Sequence, residues 1–339
     1  MIDVLVVDDS AFMRKVLSDI LNGDPEINVL ETASNGNEAI EKTALLRPDV
    51  ITMDVEMPKL DGIDTVKYIM KNHPTPIIMV SAYTKRGAYK TIEALEAGAV
   101  DFVEKPGGTI SLKIRNVQQE ILEKVKIAKN VNLSYLKRKS NRVIWSKLKT
   151  DIKTLIIIAA STGGPQSIYI LLSQLPKNFP SSIIIIQHMP EGFTDPFAKR
   201  LNQKCKIKVK EAKNDDILKE GEALIAPGGF HLELDSNNRI KINKKPPFRG
   251  IRPSADITMN SASEVFNGKI IVIILSGMGK DGAIGIRNIK RKGGIIIAQD
   301  KESSVIHGMP KAAFDTGFVD YVLPLSKIPG KISEIVRDV

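Results

Sequence analysis

Short apolar runs alternate with amphipathic stretches throughout the first 128 residues. The apolar runs predict strands, because branched residues closed by small or acidic ones are typical of buried parallel strands. These runs cover residues 2–9, 28–33, 50–54, 76–82 and 100–106. Helical periodicity falls over residues 10–21, 37–46 and 111–128. The alternation predicts a doubly wound (βα)5 domain with a parallel sheet.

The alternation stops after residue 128 and restarts near residue 154. Apolar runs then occupy residues 154–160, 182–188, 223–227, 269–276 and 294–300. The stretch HLELDSNNRIKI alternates as a β-hairpin does, with Asn237-Asn238 at its turn. This half predicts a second doubly wound α/β domain, with a mainly parallel sheet and a β-hairpin.

The segment between the two patterns is basic and polar. Residues 129–150 contain seven Lys or Arg and no acidic residue. We interpret residues 129–152 as a linker between domains at residues 1–128 and 153–339. The linker is either a solvated connector or a segment that docks on a domain face or an acidic partner. Docking would use its scattered apolar residues, Leu133, Leu136, Ile144 and Trp145.

Composition narrows the class of protein. At 42% hydrophobic residues the chain suits a folded core, and its single cysteine, Cys205, excludes an intramolecular disulfide or a cysteine metal cluster. The first residues lack the basic and apolar regions of a signal peptide. No apolar stretch approaches the ~20 residues needed to span a bilayer. We therefore expect a cytoplasmic protein with no membrane-inserted segment.

Charge is unevenly distributed along the chain. Residues 1–128 carry a net charge of −5, whereas residues 151–339 carry +8. A basic second half favours either a nucleic acid or an acidic protein surface as partner. Dispersed basic residues, a single Trp and repeated βα units argue against a helix-turn-helix or an aromatic RNA-binding sheet.

Acidic residues end two predicted strands of the first domain. Asp8 and Asp9 follow the first run, and Asp54 ends the third. Carboxylates brought to one sheet edge repel each other unless a cation lies between them, and such oxygen ligands suit Mg²⁺. Ser81 and Lys105 end two further strands and would complete a phosphoryl-binding site. For any one residue, a solvated strand end or a helix cap explains the position equally well.

Taken together, these strand ends make residues 1–128 resemble the receiver domain of two-component response regulators. The resemblance implies that Asp54 accepts a phosphoryl group from a histidine kinase. The Mg²⁺ ligands that it implies are Asp8, Asp9, Asp54 and the backbone carbonyl of Glu56. It also implies that Ser81 and Lys105 contact the phosphoryl group and that Phe102 changes rotamer in response.

The first strand of the second domain ends in Ser161-Thr162-Gly163-Gly164. This turn has no lysine for a Walker loop, lacks the spacing of a dinucleotide fingerprint and is not a Gly-x-Ser-x-Gly elbow. What remains is a serine at a strand end, glycines that allow a substrate to approach closely, and Pro165 placed to begin a helix. A nucleophile is one hypothesis, and it requires a base.

Three of the four histidines fall in the second domain. His188 ends an apolar run, whereas His231 and His307 lie in loop-like stretches, and any one of them alone is more often structural. Asp281, in SGMGKDG, offers an orienting carboxylate, although that stretch alone equally suits a phosphate-binding turn or a flexible loop. Because three strand ends present Ser161, His188 and Asp281 to one sheet edge, the combination indicates nucleophilic catalysis.

The stretches ASTGGP, QHMP, APGG, SGMGKDGA and GMPKAA make residues 153–339 resemble the catalytic domain of the chemotaxis methylesterase (CheB) family. The resemblance implies hydrolysis of glutamate γ-methyl esters on chemoreceptors, with release of methanol, and deamidation of selected receptor glutamines. It implies Ser161 as nucleophile, His188 as base and Asp281 as the group that orients it. Backbone N–H groups of Thr162 and Met278 would bind the oxyanion. No cofactor is implied for this site.

Several alternatives stay open. If His188 does not contact Ser161, His231 is the replacement base, and His231 or His307 could help to bind substrate. The fused order predicts a gate in which the unphosphorylated receiver covers the Ser161 edge until Asp54 is phosphorylated. Rival functions are a receiver-controlled esterase or amidase with another substrate, and a nucleic-acid-binding response regulator.

Overall fold

The computed structural model describes residues 1–82, 84–106, 112–131, 133 and 154–337. The chain divides into two compact units, Met1–Leu136 and Lys137–Val339. Most of the predicted linker at residues 129–152 lies outside the described residues. Both interpretations of the linker, and the predicted domain boundaries, therefore stay predictions.

Five strands and five helices alternate in the described part of the first unit. The strands are β1 (Ile2–Val7), β2 (Ile27–Ala33), β3 (Val50–Asp54), β4 (Ile77–Ser81) and β5 (Asp101–Glu104). The helices are α1 (Ala11–Asn22), α2 (Gly36–Leu46), α3 (Gly62–Asn72), α4 (Lys85–Ala97) and α5 (Leu112–Ala128). The strands pair in parallel in the order β2-β1-β3-β4-β5. Helix α1 contacts α5, and α3 contacts both α2 and α4.

A topological switch point lies between β1 and β3, because the chain runs from β1 to β2 on one side and continues to β3 on the other. Val7 pairs with Met53, so the residues that follow both strands emerge at the same edge of the sheet. Side-chain caps fix where the next helices begin: Ser10 accepts the N–H of Met13 at the start of α1. The strand-end carboxylates are thereby brought together.

The second unit combines a larger sheet with a hairpin. Its strands are β6 (Thr154–Ala160), β7 (Ser182–Gln187), β8 (Lys208–Glu211), β9 (Glu222–Ile225), β10 (His231–Leu234), β11 (Ile240–Asn243), β12 (Lys269–Ile274), β13 (Ile295–Gln299) and β14 (Tyr321–Leu323). Its α-helices are α6 (Gly164–Leu172), α7 (Thr194–Lys204), α8 (Ala255–Val265), α9 (Gly285–Arg291), α10 (Met309–Phe314) and α11 (Ile328–Arg337). A short 3₁₀-helix, Leu325–Lys327, precedes α11.

The large sheet has the order β14-β13-β12-β6-β7-β9-β8, and all of these pairings are parallel. Strand β6 comes first in the chain but lies between β7 and β12, which creates a switch point at its carboxyl end. Every residue of β6 is buried, which accounts for its continuous apolar sequence. Pro165 lies in the first turn of α6, as its position in the sequence predicts.

Strands β10 and β11 form the antiparallel hairpin, with Asn238 in a left-handed conformation at its turn. Leu232 and Ile240 of the hairpin belong to the same apolar core as Met259 and Ala262 of α8. This packing holds α8 against the sheet, and the first residues of α8 become important at the site described below.

The predicted fold class is confirmed for both halves of the chain: two doubly wound α/β arrangements, the second with a mainly parallel sheet and a hairpin. Strands β8 and β14, at the two edges of the larger sheet, were not predicted. None of the described helices is long and apolar enough to cross a bilayer.

Candidate active site and candidate metal centre

Ser161 and His188 directly follow two neighbouring strands of the second unit. Ala160, the last residue of β6, pairs with Gln187, the last residue of β7. The N–H of His188 donates to Ala160 O at 3.1 Å, and the N–H of Ser161 donates to Ser276 O, beyond the end of β12, at 3.1 Å. Three adjacent strand ends therefore meet at Ser161.

His188 and Asp281 form a hydrogen-bonded pair, with His188 Nε2 2.8 Å from Asp281 Oδ2. The carboxylate also accepts the Ser254 hydroxyl at 2.7 Å and the N–H groups of Ala255 and Asp256 at 2.6 and 3.1 Å. Burial alone would raise the pKa of Asp281, but the hydrogen bond and charge of His188, together with these donors, hold it below its ordinary value. Asp281 is therefore an ionised partner that can orient the imidazole.

The Ser161 hydroxyl makes no hydrogen bond to His188 or to any other described residue. The structure thus joins two members of the predicted trio directly and places the third at the adjoining strand end. The hydrogen bond between a catalytic nucleophile and its base often becomes short and well aligned only when substrate is bound.

The glycines of the turn accommodate the protein's own side chains. Gly163 has φ +72°, and a Cβ on it would lie 2.3 Å from Val305 Cγ2. A Cβ on Gly164 would lie 2.1 Å from Gln187 Oε1. The interpretation of the Gly163-Gly164 pair as room for a substrate is therefore wrong: these positions are filled from within the protein.

Ser276 holds the predicted oxyanion turn in place. Its hydroxyl donates to Thr162 O at 2.8 Å and accepts the N–H of Ile306 at 3.0 Å, while its own N–H donates to Gln299 Oε1 at 2.8 Å. The N–H of Met278 donates to no acceptor in the described part of the chain. A free N–H close to a strand-end serine can stabilise developing negative charge.

Gln187 is a further residue of the site that the sequence did not predict. Its side-chain amide donates to the carbonyls of Ser161 and His188 at 3.0 and 3.1 Å, so it ties the two strand ends together. The available signal was a polar residue at the end of an otherwise apolar run. Its burial confirms that such a residue needs partners within the protein.

The two other histidines have different surroundings. His231 is buried at the start of β10, where Nε2 donates to Pro246 O at 3.1 Å. His307 is half-buried and forms a bridge with Gly277, and burial lowers its pKa. Neither imidazole has a hydrogen bond or ion pair with a carboxylate among the described residues, whereas His188 has one. The geometry favours His188 as the base.

In the first unit, Asp8, Asp9 and Asp54 each offer a carboxylate oxygen, and these oxygens lie within 4.8 Å of one another. Asp8 and Asp54 are buried and Asp9 is exposed. A cluster of hard oxygen donors with one side open to water fits Mg²⁺, which retains several waters when bound. The three residues predicted as side-chain ligands are thus brought together.

Lys105 lies between two of these carboxylates, with Nζ 2.8 Å from both Asp8 Oδ2 and Asp54 Oδ2. Burial raises the pKa of Asp54, although Lys105 opposes this effect. Burial would lower the pKa of Lys105, but the hydrogen bonds and charges of the two aspartates outweigh it, and the net shift is upward. The N–H of Glu56 faces Asp54 Oδ1 at 3.4 Å, and its side chain pairs with Arg86 at 3.0 Å.

Ser81 and Phe102, the predicted switch residues, both point into the interior. The Ser81 hydroxyl is buried and accepts a hydrogen bond from Thr91 Oγ1 at 2.8 Å. Phe102 is also buried, with Lys124 Nζ 5.5 Å from the centre of its ring. Ser81 has no hydrogen bond to Asp54 among the described residues, and the predicted roles of both residues stay predictions.

The fold and the two sites define a class of protein: a receiver-like α/β unit joined to an α/β unit whose strand ends carry a serine and a histidine–aspartate pair. Residues 156–332 match the family model described as CheB methylesterase, and residues 4–115 match that of the response regulator receiver domain. The crystal structure of the Thermotoga maritima CheB methylesterase catalytic domain aligns with a TM-score of 0.52 at 44% identity, covering 54% of this chain and 98% of that one.

Relatives that align over nearly the whole chain indicate the same family. A protein-glutamate methylesterase/protein-glutamine glutaminase of Pyrococcus abyssi is 48% identical, covering 99% of this chain and 94% of the relative. The protein of that name from Thermotoga maritima is also 48% identical, covering 99% and 98%. The chain belongs to the CheB methylesterase family, with a response regulator receiver domain in front. The predicted resemblance to both families is confirmed.

Proposed function

We propose that the chain is a phosphorylation-activated serine hydrolase. It removes methyl groups from glutamate γ-methyl esters of chemoreceptors and deamidates selected receptor glutamines, so that it takes part in chemotactic adaptation. The observation that carries the proposal is the meeting of Ser161 with the His188–Asp281 pair at adjacent strand ends. The names of the full-length relatives support the choice of substrate.

In the proposed reaction, Ser161 Oγ bonds to the γ-carbonyl carbon while His188 accepts its proton. Asp281 stabilises the imidazolium, and the N–H groups of Thr162 and Met278 bind the oxyanion. The tetrahedral intermediate breaks its bond to methoxide, which takes the proton from His188 and leaves as methanol. Water, deprotonated by His188, then hydrolyses the acyl-serine to a glutamate carboxylate and free serine. With a glutamine substrate the leaving group is ammonia.

The receiver is proposed to control this reaction. Asp54 would accept a phosphoryl group from a histidine kinase, and Mg²⁺ supplies charge neutralisation when bound by Asp8, Asp9 and Asp54. Lys105 already contacts two of these carboxylates, which suits it to contact a phosphoryl oxygen once Asp54 is modified. Calorimetric titration with MgCl₂ tests the metal: binding is expected in the wild type and should be lost in Asp8→Asn.

The central experiment measures methanol release from a methylated chemoreceptor. Wild type should release methanol, and Ser161→Ala should release none. Ser173→Ala is the matched control, because among the described residues its hydroxyl, just after α6, donates to Ile170 O alone. Full activity in Ser161→Ala would overturn the mechanism. Hydrolysis of simple esters without action on receptor would instead indicate an esterase with another substrate.

Regulation is tested with a small-molecule phosphodonor. Methanol release by the wild type should increase, whereas Asp54→Asn should not respond. Asp64→Asn, which alters an exposed aspartate of α3, should respond as wild type does. A fragment that begins near residue 153 should exceed the unphosphorylated full-length protein in activity if the receiver covers the active site. Equal activity would contradict the covering hypothesis and leave the hydrolase assignment intact.

A further inference from the structure

Two buried carboxylates and two helix starts hold one another behind His188. Asp281, which precedes α9, accepts hydrogen bonds from the start of α8 through Ser254, Ala255 and Asp256. The two carboxylate oxygens of Asp281 accept hydrogen bonds from different donors. Oδ1 binds the Ser254 hydroxyl and the N–H of Asp256, whereas Oδ2 binds the N–H of Ala255 and the imidazole.

Asp256 completes the arrangement from the other direction. It lies in the first turn of α8, and its Oδ1 accepts the N–H of Ile284 at 3.0 Å and that of Gly285 at 2.7 Å. Asp256 of α8 therefore accepts hydrogen bonds from free N–H groups at the start of α9. Asp281, in the loop before α9, accepts hydrogen bonds from free N–H groups at the start of α8. Such reciprocal bonding couples the position of one helix to that of the other.

Burial makes these hydrogen bonds obligatory. Ser254, Asp256 and Asp281 are 0%, 1% and 6% exposed, so water does not replace a lost partner cheaply. The helices also touch: a Cβ on Gly285 would lie 2.7 Å from the Cβ of Met259. A shift of the loop carrying Asp281 therefore cannot occur without disturbing α8.

We infer that Asp256 and Ser254 are positioning residues of the hydrolytic site. Ser254 occupies Oδ1 of Asp281 and so directs Oδ2 to His188, while Asp256 anchors the loop that carries Asp281. Neither residue touches the reacting atoms. This inference rests on the proposed function, because the orientation of His188 matters only if it acts as the base for Ser161.

The test compares variants that separate hydrogen bonding from charge. Asp256→Asn keeps an oxygen that accepts the two N–H groups, whereas Asp256→Ala removes it. We expect kcat for methanol release to fall about 10–100-fold in Asp256→Ala, with KM within about twofold. Asp256→Asn should retain kcat within about threefold, and Ser254→Ala should lose about tenfold.

A matched control separates positioning from general stability. Asp320 also accepts a hydrogen bond from a buried backbone N–H, that of Ile296 at 2.8 Å. This contact lies at the start of β13 and not at the carboxyl ends of the strands. Asp320→Ala should lower the melting temperature without lowering kcat. The inference is overturned if Asp256→Ala keeps wild-type kcat, if Asp256→Asn is equally impaired, or if Asp320→Ala loses kcat to the same degree.

A substrate-free readout distinguishes this inference from the proposed function. The His188 ring N–H that is hydrogen-bonded to Asp281 should give a slowly exchanging, far-downfield proton NMR resonance in wild type and Asp256→Asn. It should disappear in folded Asp256→Ala. Persistence of the resonance in Asp256→Ala refutes the positioning role even if receptor proves not to be the substrate. Conversely, loss of the resonance in folded Asp256→Ala, combined with a wild type that keeps the resonance but is inactive on receptor, would refute only the proposed function.

Discussion

Nε2 of His188 lies 2.8 Å from Oδ2 of Asp281. A neutral imidazole carries a single N–H, so a proton on Nε2 leaves Nδ1 as the accepting nitrogen. The carboxylate is buried and held by three further donors. The pair is therefore oriented before substrate binds, and Nδ1 is the atom that receives the Ser161 proton in the proposed reaction.

Asp281→Asn should lower kcat for methanol release by about 10³–10⁴ because an amide that donates to Nε2 stabilises the wrong tautomer and cannot stabilise the imidazolium. The variant should remain folded, since the amide oxygen can still accept from the Ser254 hydroxyl and the Asp256 N–H, and only the Ala255 N–H loses its acceptor. Asp235→Asn, in the exposed turn of the hairpin, is the control and should be fully active. A loss of less than tenfold in Asp281→Asn would show that this carboxylate is not the orienting group.

Gly163→Ala and Gly293→Ala form a matched pair, because their φ angles are +72° and +75°. An added Cβ meets Val305 at 2.3 Å in the first case and nothing within 4 Å in the second. We expect Gly293→Ala to cost about 1 kcal/mol of unfolding free energy from backbone strain alone. Gly163→Ala should cost about 2 kcal/mol more and reduce kcat, because overpacking displaces the turn after Ser161. Urea denaturation measures both, and equal losses would contradict the packing argument.

Ser276→Ala should destabilise the second unit and impair catalysis together. Its hydroxyl is the partner of Thr162 O and of the Ile306 N–H, and both groups lose that partner on substitution. The expected loss of unfolding free energy is about 1–3 kcal/mol. Ser263→Ala provides the comparison, because the hydrogen bond that its hydroxyl makes in the described part of the chain goes to Asn260 O within α8. Wild-type kcat in Ser276→Ala would argue against Thr162 as an oxyanion donor.

Asp256 should make stability depend on pH. Burial, assisted by the charge of Asp281, raises the pKa of Asp256 from 3.8 to about 6, although the N–H groups of Gly285 and Ile284 oppose this. The folded state then holds its proton to higher pH than the unfolded state does, so this contribution is complete below about pH 4 and is lost as pH rises to about 6.

Asp256→Asn lacks this titration. Its unfolding free energy relative to wild type should therefore rise between pH 4 and pH 6, by an amount on the order of 2 kcal/mol, and stay level above that range. Urea denaturation at four pH values provides the measurement. A difference that is independent of pH would mean that Asp256 titrates alike in the folded and unfolded states.

In the larger sheet, the interior strands were predicted from sequence and the two edge strands were not. β6 and β12 are continuous apolar runs, which is typical of parallel strands with both faces buried. By contrast, β8 (KVKE) buries one residue, Val209, and β14 (YVL) leaves Tyr321 and Val322 exposed. These two edge strands each have one neighbour and little core contact, so their sequences carry no comparable pattern.

The candidate site was predictable where a functional residue ends a strand, as Ser161 and His188 do. Its supporting residues were not. Ser254 precedes α8 in a position typical of an N-cap, but its side chain makes no cap and donates instead to Asp281. The partner of the Ser254 hydroxyl depends on the loop that carries Asp281, which joins the site only after β12 has paired with β6. No local sequence pattern encodes this hydrogen bond.

Strand β6 is central in the sheet but begins far earlier in the chain than its neighbour β12, since Thr154 pairs with Lys269. During synthesis on the ribosome, the strand that precedes Ser161 must therefore wait with the backbone N–H and C=O groups of one edge unpaired until β12 emerges. Non-local parallel pairing is slow, and an open edge invites association between nascent chains. The edge of the sheet that carries Ser161 is thus completed only late in synthesis.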